Sequence, residues 1–442
     1  MRRKAYRATA VKSVNISEVV MRLSEGPASL GLDIGKQAVF AVVRDAEGNF
    51  ERPWKIQNPH EVQELVKRTL QLAQHRPLVI AMEPTGTYGD PIRQALTDAG
   101  LEVHRVGCKA SSDYKEIFDG VPSAHDGKDA AVVAELAAIG KSTPWPARQT
   151  SSTEAELAAQ VSWLDTQQDI LQLWLGRLEG LLARHWPELT RLLALNSGTL
   201  LRLLAHYGSP AAAAADPEAA AQLARWGGHL LRAPKIAAVL ESARQTIGVR
   251  LQPPSLALIR QCAEQALAAR REIRQAKREL DSLGQGDEVI ESMAAVVGTT
   301  TACVLRVSVG SPKDYHCGEA YRKAMGLNLK ERSSGKHQGK LRITKRGPSL
   351  ARRWLFFAAL RAVQQPPVRR WYEAKKQRDQ DRGLGAVVAV MRKLALAVYA
   401  VAVRGEAFSP DRLFPGRPRS PRSPRRPAES GRLHRAFPLE IK

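Results

Sequence analysis

The sequence has few cysteines, few aromatic residues and no long hydrophobic run. Its four cysteines, Cys108, Cys262, Cys303 and Cys317, are far apart and form no Cys-x-x-Cys pair, so they indicate neither a zinc site nor a disulfide framework. No run of some 18 apolar residues appears, and no apolar segment follows the basic start, so we expect no membrane span and no secretory signal. These absences favour a reducing compartment, the cytoplasm.

Acidic residues are scarce relative to basic ones. The 442 residues include 67 lysines and arginines against 44 aspartates and glutamates, which gives a formal charge of +23. An enzyme that acts on small acids has no use for such an excess, whereas a polyanionic partner does. The composition therefore favours a nucleic-acid partner, and the length favours two or three domains.

Short apolar runs alternate with amphipathic segments in the first third of the chain. Three runs predict strands at Ser29–Ile34, Ala38–Arg44 and Phe50–Ile56, joined by turns. A helix, strand, helix, strand and helix follow, which is the order of a ribonuclease H-like (RNase H-like) fold. Their predicted bounds are Glu61–Gln74, Pro77–Met82, Asp90–Ala99, Leu101–Val106 and a last helix that contains Asp129. We therefore expect an α/β RNase H-like domain over residues 28–146, after a basic flexible arm over residues 1–27.

A heptad pattern follows a break at residues 144–150. Apolar residues recur with alternating spacings of four and three from Leu157 to Leu182, and Gln168 is the one polar residue at these positions. This pattern predicts a coiled-coil or bundle partner, and hence a dimer or higher oligomer. A second long helix is expected at Ser255–Leu280.

The rest of the chain is predicted to be mostly helical. We assign residues 147–285 to a helical coiled-coil region and residues 286–408 to a mostly α-helical C-terminal domain. Residues 409–442 are rich in arginine and proline, a composition that cannot bury a core, so we expect a disordered tail.

Four acidic residues stand where a divalent-metal site is expected. Asp33 and Glu83 each follow a predicted buried strand, and Asp126 and Asp129 are three apart at the start of a helix, so they share one face. Mg²⁺ prefers oxygen ligands and is held by few carboxylates, and two such ions can activate an attacking oxygen and stabilise the leaving one. These four residues are therefore the candidate metal ligands and catalytic residues. Singly, each has an ordinary alternative as a turn, surface or capping residue.

A second constellation is the basic loop from Arg332 to Gly347. Ser333 and Ser334 precede Gly335 among lysines and arginines, a field suited to a phosphate. A serine hydroxyl is a weak nucleophile without a base or a metal, so residue chemistry alone favours a solvated loop that grips a nucleic-acid backbone. The candidate phosphate contacts continue onto the following helix and are Lys336, Lys340, Arg342, Lys345, Arg346, Arg352 and Arg353.

Three function classes fit these residues. The first is a Mg²⁺-dependent enzyme that cuts or rejoins nucleic acid. The second is a non-catalytic RNA- or DNA-binding protein that uses the RNase H-like domain as a scaffold, which explains the charge and the tail equally well. The third is an actin-like phosphotransferase, because Leu-Asp33-Ile-Gly also opens such phosphate sites. That class needs a second phosphate loop, which the sequence lacks.

Both constellations together resemble a known family. The motifs that carry the resemblance are Gly-Leu-Asp33-Ile-Gly, Ala-Met-Glu83-Pro-Thr-Gly, Asp126-Gly-Lys-Asp129-Ala, and Ser333-Ser334-Gly335 through Ile343-Thr-Lys-Arg-Gly347. They resemble bacterial insertion-sequence transposases of the IS110 and IS1111 group, which have an N-terminal DEDD domain and a C-terminal serine domain. The resemblance runs from about Ser29 to Tyr399 and is loose in the helical middle.

The resemblance implies a RuvC-like N-terminal domain, similar to Holliday-junction resolvases, that binds Mg²⁺ through the four acidic residues. It implies that Ser334, with Ser333 as the alternative, attacks the DNA phosphodiester and forms a serine–DNA intermediate that conserves the bond energy for rejoining. Family members pair the DEDD domain of one subunit with the serine domain of another. They also use an element-encoded bridge RNA that base-pairs with donor and target DNA. We therefore expect a DNA transposase that acts as a dimer or tetramer, with donor DNA, target DNA and a guide RNA as partners. We expect it in the bacterial cytoplasm, associated with the nucleoid.

Overall fold

The computed structural model describes residues 8–84, 86–118, 125–147, 151–331, 339, 341–380 and 383–415. The chain divides into two compact units, Met1–Thr150 and Ser151–Lys442. The boundary falls at the break in the sequence pattern near residues 144–150. The boundary expected near residue 285 lies inside the second unit.

A seven-stranded sheet forms the centre of the first unit. Its strands are β1 (Thr9–Ala10), β2 (Ala28–Ile34), β3 (Ala38–Arg44), β4 (Trp54–Gln57), β5 (Leu78–Met82), β6 (Val103–Val106) and β7 (Ser142–Pro144), in the spatial order β1-β4-β3-β2-β5-β6-β7. The pairs β2–β3 and β3–β4 are antiparallel, whereas β2–β5 and β5–β6 are parallel. This mixed sheet is the RNase H-like arrangement that the sequence predicts, with β1 and β7 as additional edge strands.

Five helices cover the two faces of this sheet. They are α1 (Ile16–Arg22), α2 (Val62–Ala73), α3 (Asp90–Asp98), α4 (Cys108–Phe118) and α5 (Asp126–Ala138). Leu30 and Leu32 of β2 point into the core that α1, α2 and α3 cover, while alternate residues of the same strand face α5. The carboxylate-bearing helix α5 therefore lies on the face opposite the main core.

The N-terminal arm is a correction to the sequence analysis. Residues 1–27 were expected to be flexible, but Thr9 and Ala10 pair parallel with β4, and α1 packs on the first unit. Val11, Val14 and Val19 are buried in its core. Burial of these branched side chains stabilises the segment despite its basic composition. Residues 1–7 lie outside the described residues.

The second unit is mostly helical. Its elements are α6 (Ser152–His185), α7 (Leu189–Leu192), α8 (Gly198–His206), α9 (Pro210–Ala215), α10 (Ala219–Gly227), α11 (Ala233–Arg244), α12 (Pro253–Leu283), α13 (Glu288–Val297), α14 (Thr299–Val309), α15 (Gly318–Ala324), β8 (Leu329–Lys330), β9 (Arg342–Ile343), α16 (Ser349–Ala362), α17 (Pro366–Arg378), α18 (Leu384–Arg404) and α19 (Pro410–Leu413). The described residues also form three short 3₁₀ helices, which are Val11–Ser13 in the first unit and Gly228–Leu230 and Pro312–Asp314 in the second.

The long helices α6 and α12 pack against each other and join two cores. The start of α6 and the end of α12 contribute Leu157, Leu164 and Leu280 to a core shared with α13–α18. The opposite ends of the same helices contribute Leu182 and Ile259 to a second core shared with α7–α11. The two helices are therefore antiparallel.

The heptad seam of α6 is occupied within the chain. Leu157, Leu164, Leu175, Leu178 and Leu182 are buried in the two cores that α6 shares with α12. The repeat thus finds its partner in the same polypeptide and does not by itself require a second subunit. An oligomer remains a prediction.

Helix α18, Leu384–Arg404, is the one described helix that is long and apolar enough to cross a membrane by length and composition alone, although the sequence analysis expects no membrane span. Its most apolar 18-residue window has a mean hydropathy of 2.0. Over half of this apolar window is buried, and Val390, Leu394 and Val398 belong to the core around α13–α18. These buried contacts are typical of a core helix.

The first residues of the segment expected to be a disordered tail are ordered. Pro410–Leu413 form α19, and the Phe414 ring is buried against Trp371, with 5.4 Å between the ring centroids. An aromatic ring buries enough apolar surface to order its neighbours. Residues 416–442 lie outside the described residues.

Candidate functional site

The sheet register brings Asp33 and Glu83 together. Asp33 lies near the end of β2, and Glu83 directly follows β5. The two strands are parallel, and Leu32 is paired with Met82, so the next residue of each strand stands beside the other. Carboxyl ends of parallel strands meet at one edge of a sheet, as the sequence analysis requires for these two residues.

Helix α5 brings the other two carboxylates. Asp126 and Asp129 lie in its first turn, where negative charge is favourable because the backbone N–H groups point outwards. His125 caps the helix through Nδ1, which accepts a hydrogen bond of 3.0 Å from the Gly127 N–H. The cap fixes where α5 begins and therefore where both carboxylates project.

A glycine on β2 allows α5 to approach the sheet. A Cβ atom at Gly31 would overlap the Ala130 carbonyl oxygen and the Ala134 nitrogen. Ser29 Oγ donates a hydrogen bond of 2.8 Å to the Ala134 carbonyl, and so ties the strand and the helix together. Ser29, Gly31 and Asp33 alternate along one face of the strand. Gly31, two positions before Asp33, therefore sets the distance from Asp33 to the carboxylates of α5.

The four carboxylates are coupled electrostatically. The pKa of Asp33 is raised to about 6, chiefly by burial. The charges of Asp129, Asp126 and Glu83 contribute to this rise, and Lys115 opposes it. The raised pKa of Asp33 therefore reflects both its burial and the negative charge of its carboxylate neighbours.

Two residues of α4 bind carboxylates of this site. Ser111 Oγ donates a hydrogen bond to Glu83 Oε1, and Lys115 Nζ lies 2.7 Å from Asp129 Oδ2. Helix α4 was not predicted from the sequence, because residues 107–113 are polar and have no clear apolar period. The one signal was Ser111 and Lys115 themselves, which are four residues apart and so share a helix face.

The donor set fits a hard cation, although it does not enclose one as it stands. Within the described ranges, no three carboxylate, imidazole or thiolate side chains lie close enough together to hold a metal ion. All four groups supply oxygen atoms, which Mg²⁺ prefers. Asp129 Oδ1 is buried and makes no hydrogen bond to any described residue. An unpaired buried carboxylate oxygen is costly, so it favours a further cationic or hydrogen-bonding ligand.

The serine loop is described only at its stem. Ser333, Ser334, Lys336 and Lys340 lie outside the described residues, and their roles stay predictions. The stem is the antiparallel pair β8–β9, in which Leu329 pairs with Ile343. The structure therefore places the two ends of the loop side by side.

Backbone contacts anchor this stem to the end of α15. The Lys345 N–H donates a 2.9 Å hydrogen bond to the Gly326 carbonyl, and Thr344 Oγ1 donates a 2.5 Å hydrogen bond to Asn328 Oδ1. Gly326 has φ +71°, and a Cβ atom there would lie 2.7 Å from the Arg346 nitrogen. Only glycine suits this combination of left-handed backbone and close approach.

The described basic residues of the constellation divide into two groups. Arg342, Lys345 and Arg346 are exposed and remain candidates for phosphate contacts. Arg352 instead donates to the Gly347 carbonyl at 2.7 Å. Arg353 pairs with Asp165 and Asp169 of α6. Both guanidinium groups are thus engaged within the chain, and their expected contacts with phosphate stay a prediction.

Two family models match the chain. Residues 30–187 match the model of the DEDD transposase of the IS110 type, and residues 287–373 match a model described as the transposase IS116/IS110/IS902 family. The first match contains all four carboxylates, and the second contains the serine loop. Together they cover more than half of the chain. No curated protein matches it.

Proposed function

The chain belongs to the IS110 family of DEDD transposases, which act in DNA transposition, and from this we propose that it cuts and rejoins DNA with a magnesium-dependent carboxylate site and a serine nucleophile. The proposal is carried by the electrostatic coupling of Asp33 to Glu83, Asp126 and Asp129, whose negative charges contribute to its raised pKa. Bound Mg²⁺ would neutralise these carboxylates and polarise the phosphodiester. Asp33 and Glu83 are held by the sheet register, and Asp126 and Asp129 by the capped start of α5.

The serine step is carried over from the resemblance to Ser334. Its Oγ would form a bond to the phosphorus of the DNA backbone, and the bond from that phosphorus to one strand end would break. The released strand end leaves as a hydroxyl after gaining the serine proton. In rejoining, a hydroxyl of another strand attacks the same phosphorus, and Ser334 leaves and regains a proton. One phosphate ester is exchanged for another, so neither step needs an outside energy source.

The stem of the serine loop supports this proposal from described residues. Hydrogen bonds from Thr344 and Lys345 hold the two ends of the loop, and Arg342, Lys345 and Arg346 surround them with positive charge. Positive charge held at such a stem would orient a phosphate before reaction. It also attracts the backbone of DNA or RNA, in agreement with the net charge of +23.

A guide RNA and an oligomer complete the proposal. Both rest on the resemblance, in which an RNA pairs with donor and target DNA and the DEDD and serine domains come from different subunits. Specificity would then lie in base pairing, while the protein supplies charge and chemistry. Nucleic-acid affinity should fall steeply with salt, by a log–log slope of roughly −0.9 for each duplex phosphate neutralised.

The test uses the full chain with a plasmid that carries the element ends and their flanking DNA. We expect Ser334→Ala to abolish a covalent protein–DNA adduct, and Asp33→Asn to lower strand cleavage at least about a hundredfold. Asp98→Asn, an exposed carboxylate of α3, is the matched control and should cleave at the wild-type rate. Chelation of divalent metal should act like Asp33→Asn.

The alternative is a non-catalytic RNA- or DNA-binding protein on an RNase H-like scaffold. Two observations favour it: no three of the described carboxylate, imidazole or thiolate side chains form a group that could hold a metal ion, and Lys115 pairs with Asp129. It predicts metal-independent binding and no covalent adduct with any variant. That pair of results would replace the proposed mechanism.

A further inference from the structure

One face of α4 is directed at the carboxylate site. Ser111 and Lys115 are four residues apart, and they bind Glu83 and Asp129, respectively. The Lys115 side chain is one-third exposed and that of Asp129 one-fifth, at 33% and 20%. Their ion pair is therefore only partly screened by water, and it stands beside three further carboxylates.

Packing holds α4 in place independently of this ion pair. Phe118 stacks edge-on against Phe50, with 5.4 Å between ring centroids. Tyr114 and Phe118 also pack against Val132 and Val133 of α5 and their neighbours. Because apolar side chains set the position of the helix, the ammonium group of Lys115 can leave Asp129 without the departure of α4.

We propose that Lys115 is a positioning residue that competes with a divalent cation for Asp129. The proposal rests on the proposed function, since it concerns the metal that the four carboxylates would bind. The lysine supplies one positive charge to Asp129, whose other oxygen, Oδ1, has no hydrogen-bond partner among the described residues. A divalent cation at the carboxylates and an ammonium group on Asp129 would repel each other. Lys115 thus weakens metal binding and stabilises the metal-free carboxylates.

A merely structural ion pair makes a different prediction. If Lys115 served only to attach α4 to α5, its loss would lower stability and leave metal affinity unchanged. A competitor has the opposite signature, because removal of its charge should raise metal affinity while the metal-free protein becomes less stable. Arginine at this position keeps the charge and should restore the wild-type affinity.

The experiment measures Mn²⁺ binding to the full chain by the electron paramagnetic resonance signal of free Mn²⁺. Lys115→Met is expected to bind Mn²⁺ about tenfold more tightly than the wild type, and Lys115→Gln should do the same if the methionine variant folds poorly. Lys115→Arg should match the wild type. Lys109→Met is the matched control, since Lys109 pairs with Asp113 on the same helix and touches none of the four carboxylates.

Each outcome decides the proposal. Equal or weaker Mn²⁺ binding by Lys115→Met, with the wild type binding measurably, overturns the competition and leaves the proposed function standing. Binding that Asp33→Asn does not reduce, or no Mn²⁺ binding by any variant, overturns the metal site and the competition together. Binding by Lys115→Met but not by the wild type supports the competition in its strongest form.

Discussion

The carboxylate site and the stem of the serine loop hold their functional groups in opposite ways. The carboxylates depend on contacts between distant segments, such as the hydrogen bond from Ser29 to Ala134, which are 105 residues apart. The stem depends on contacts between segments that are close in sequence, since Thr344 and Asn328 are 16 residues apart. A site assembled from distant segments is only as exact as the packing of the whole unit. A hairpin can be disturbed alone, so the two constellations should fail differently when each is damaged.

The largest effect is expected at the long-range site. Gly31→Ala places a Cβ atom against the Ala130 carbonyl and must move α5 away from β2. We expect a loss of about 3 kcal/mol of unfolding free energy and at least a hundredfold slower strand cleavage. Urea unfolding and the plasmid assay measure these two quantities. Gly107→Ala is the control, because its Cβ meets nothing within 4 Å; equal behaviour of the two variants would contradict the close approach.

Damage to the stem should spare the carboxylate site. Gly326→Ala strains a backbone with φ +71° and brings Cβ to 2.7 Å from the Arg346 nitrogen. We expect a cost of about 2 kcal/mol and loss of the covalent adduct, with Mn²⁺ affinity unchanged. Gly286→Ala has φ +85° in open space and isolates the backbone strain. A fall in Mn²⁺ affinity would show that the two regions are not independent.

The hydrogen bonds to Asp45, a residue of the first unit, should make the stability of the protein depend on pH. Burial acts to raise the pKa of Asp45, but hydrogen bonds from Ser24 and Asn49 outweigh it and lower the pKa to about 2, from an ordinary value of 3.8. The stability that Asp45 provides is therefore present above pH 4 and lost as the pH falls towards 2. Asp45→Asn should cost about 1–2 kcal/mol at pH 7 and only a few tenths of this, about 0.4 kcal/mol or less, at pH 2. Urea unfolding of the variant and the wild type from pH 7 to pH 2 measures how far their stabilities approach each other. Asp98→Asn should show no such dependence on pH.

The smallest effect is expected from a single hydroxyl of the stem. Thr344→Val keeps the shape of the side chain and removes its hydrogen bonds to Asn328 and to the Gly326 carbonyl. The expected cost is about 1 kcal/mol. Amide hydrogen exchange should accelerate at Lys345 and remain unchanged in β2. Thr166→Val is the control, since that hydroxyl bonds only within its own helix; unchanged exchange at Lys345 would mean that the backbone alone holds the stem.

The sequence allowed the sheet and its acidic edge to be predicted, because both follow from local patterns. The observed β3 has the predicted bounds, and β2 and β5 differ from them by one residue. Glu83 and Asp33 then meet because parallel strands align their ends. The fold of the N-terminal arm was missed because three buried valines are spread through a basic segment.

The roles of Lys115 and Arg353 could not be predicted from sequence. Lys115 stands in a polar stretch and Arg353 beside apolar residues, and only the tertiary structure places them beside Asp129 and Asp165. The heptad repeat of α6 likewise predicted a helical partner correctly but not its location, since periodicity is the same for a partner within the chain and one outside it.

The antiparallel arrangement of α6 and α12 has a consequence for the segment that connects them. The chain leaves the pair after His185 and re-enters it at Pro253, at the same end of both helices. The segment that connects the two helices has its own buried leucines, so its length can change without displacing the far end of the helix pair. Neither family match extends into residues 188–286. An insertion or deletion between His185 and Pro253 is therefore expected to leave the core around α13–α18 in place.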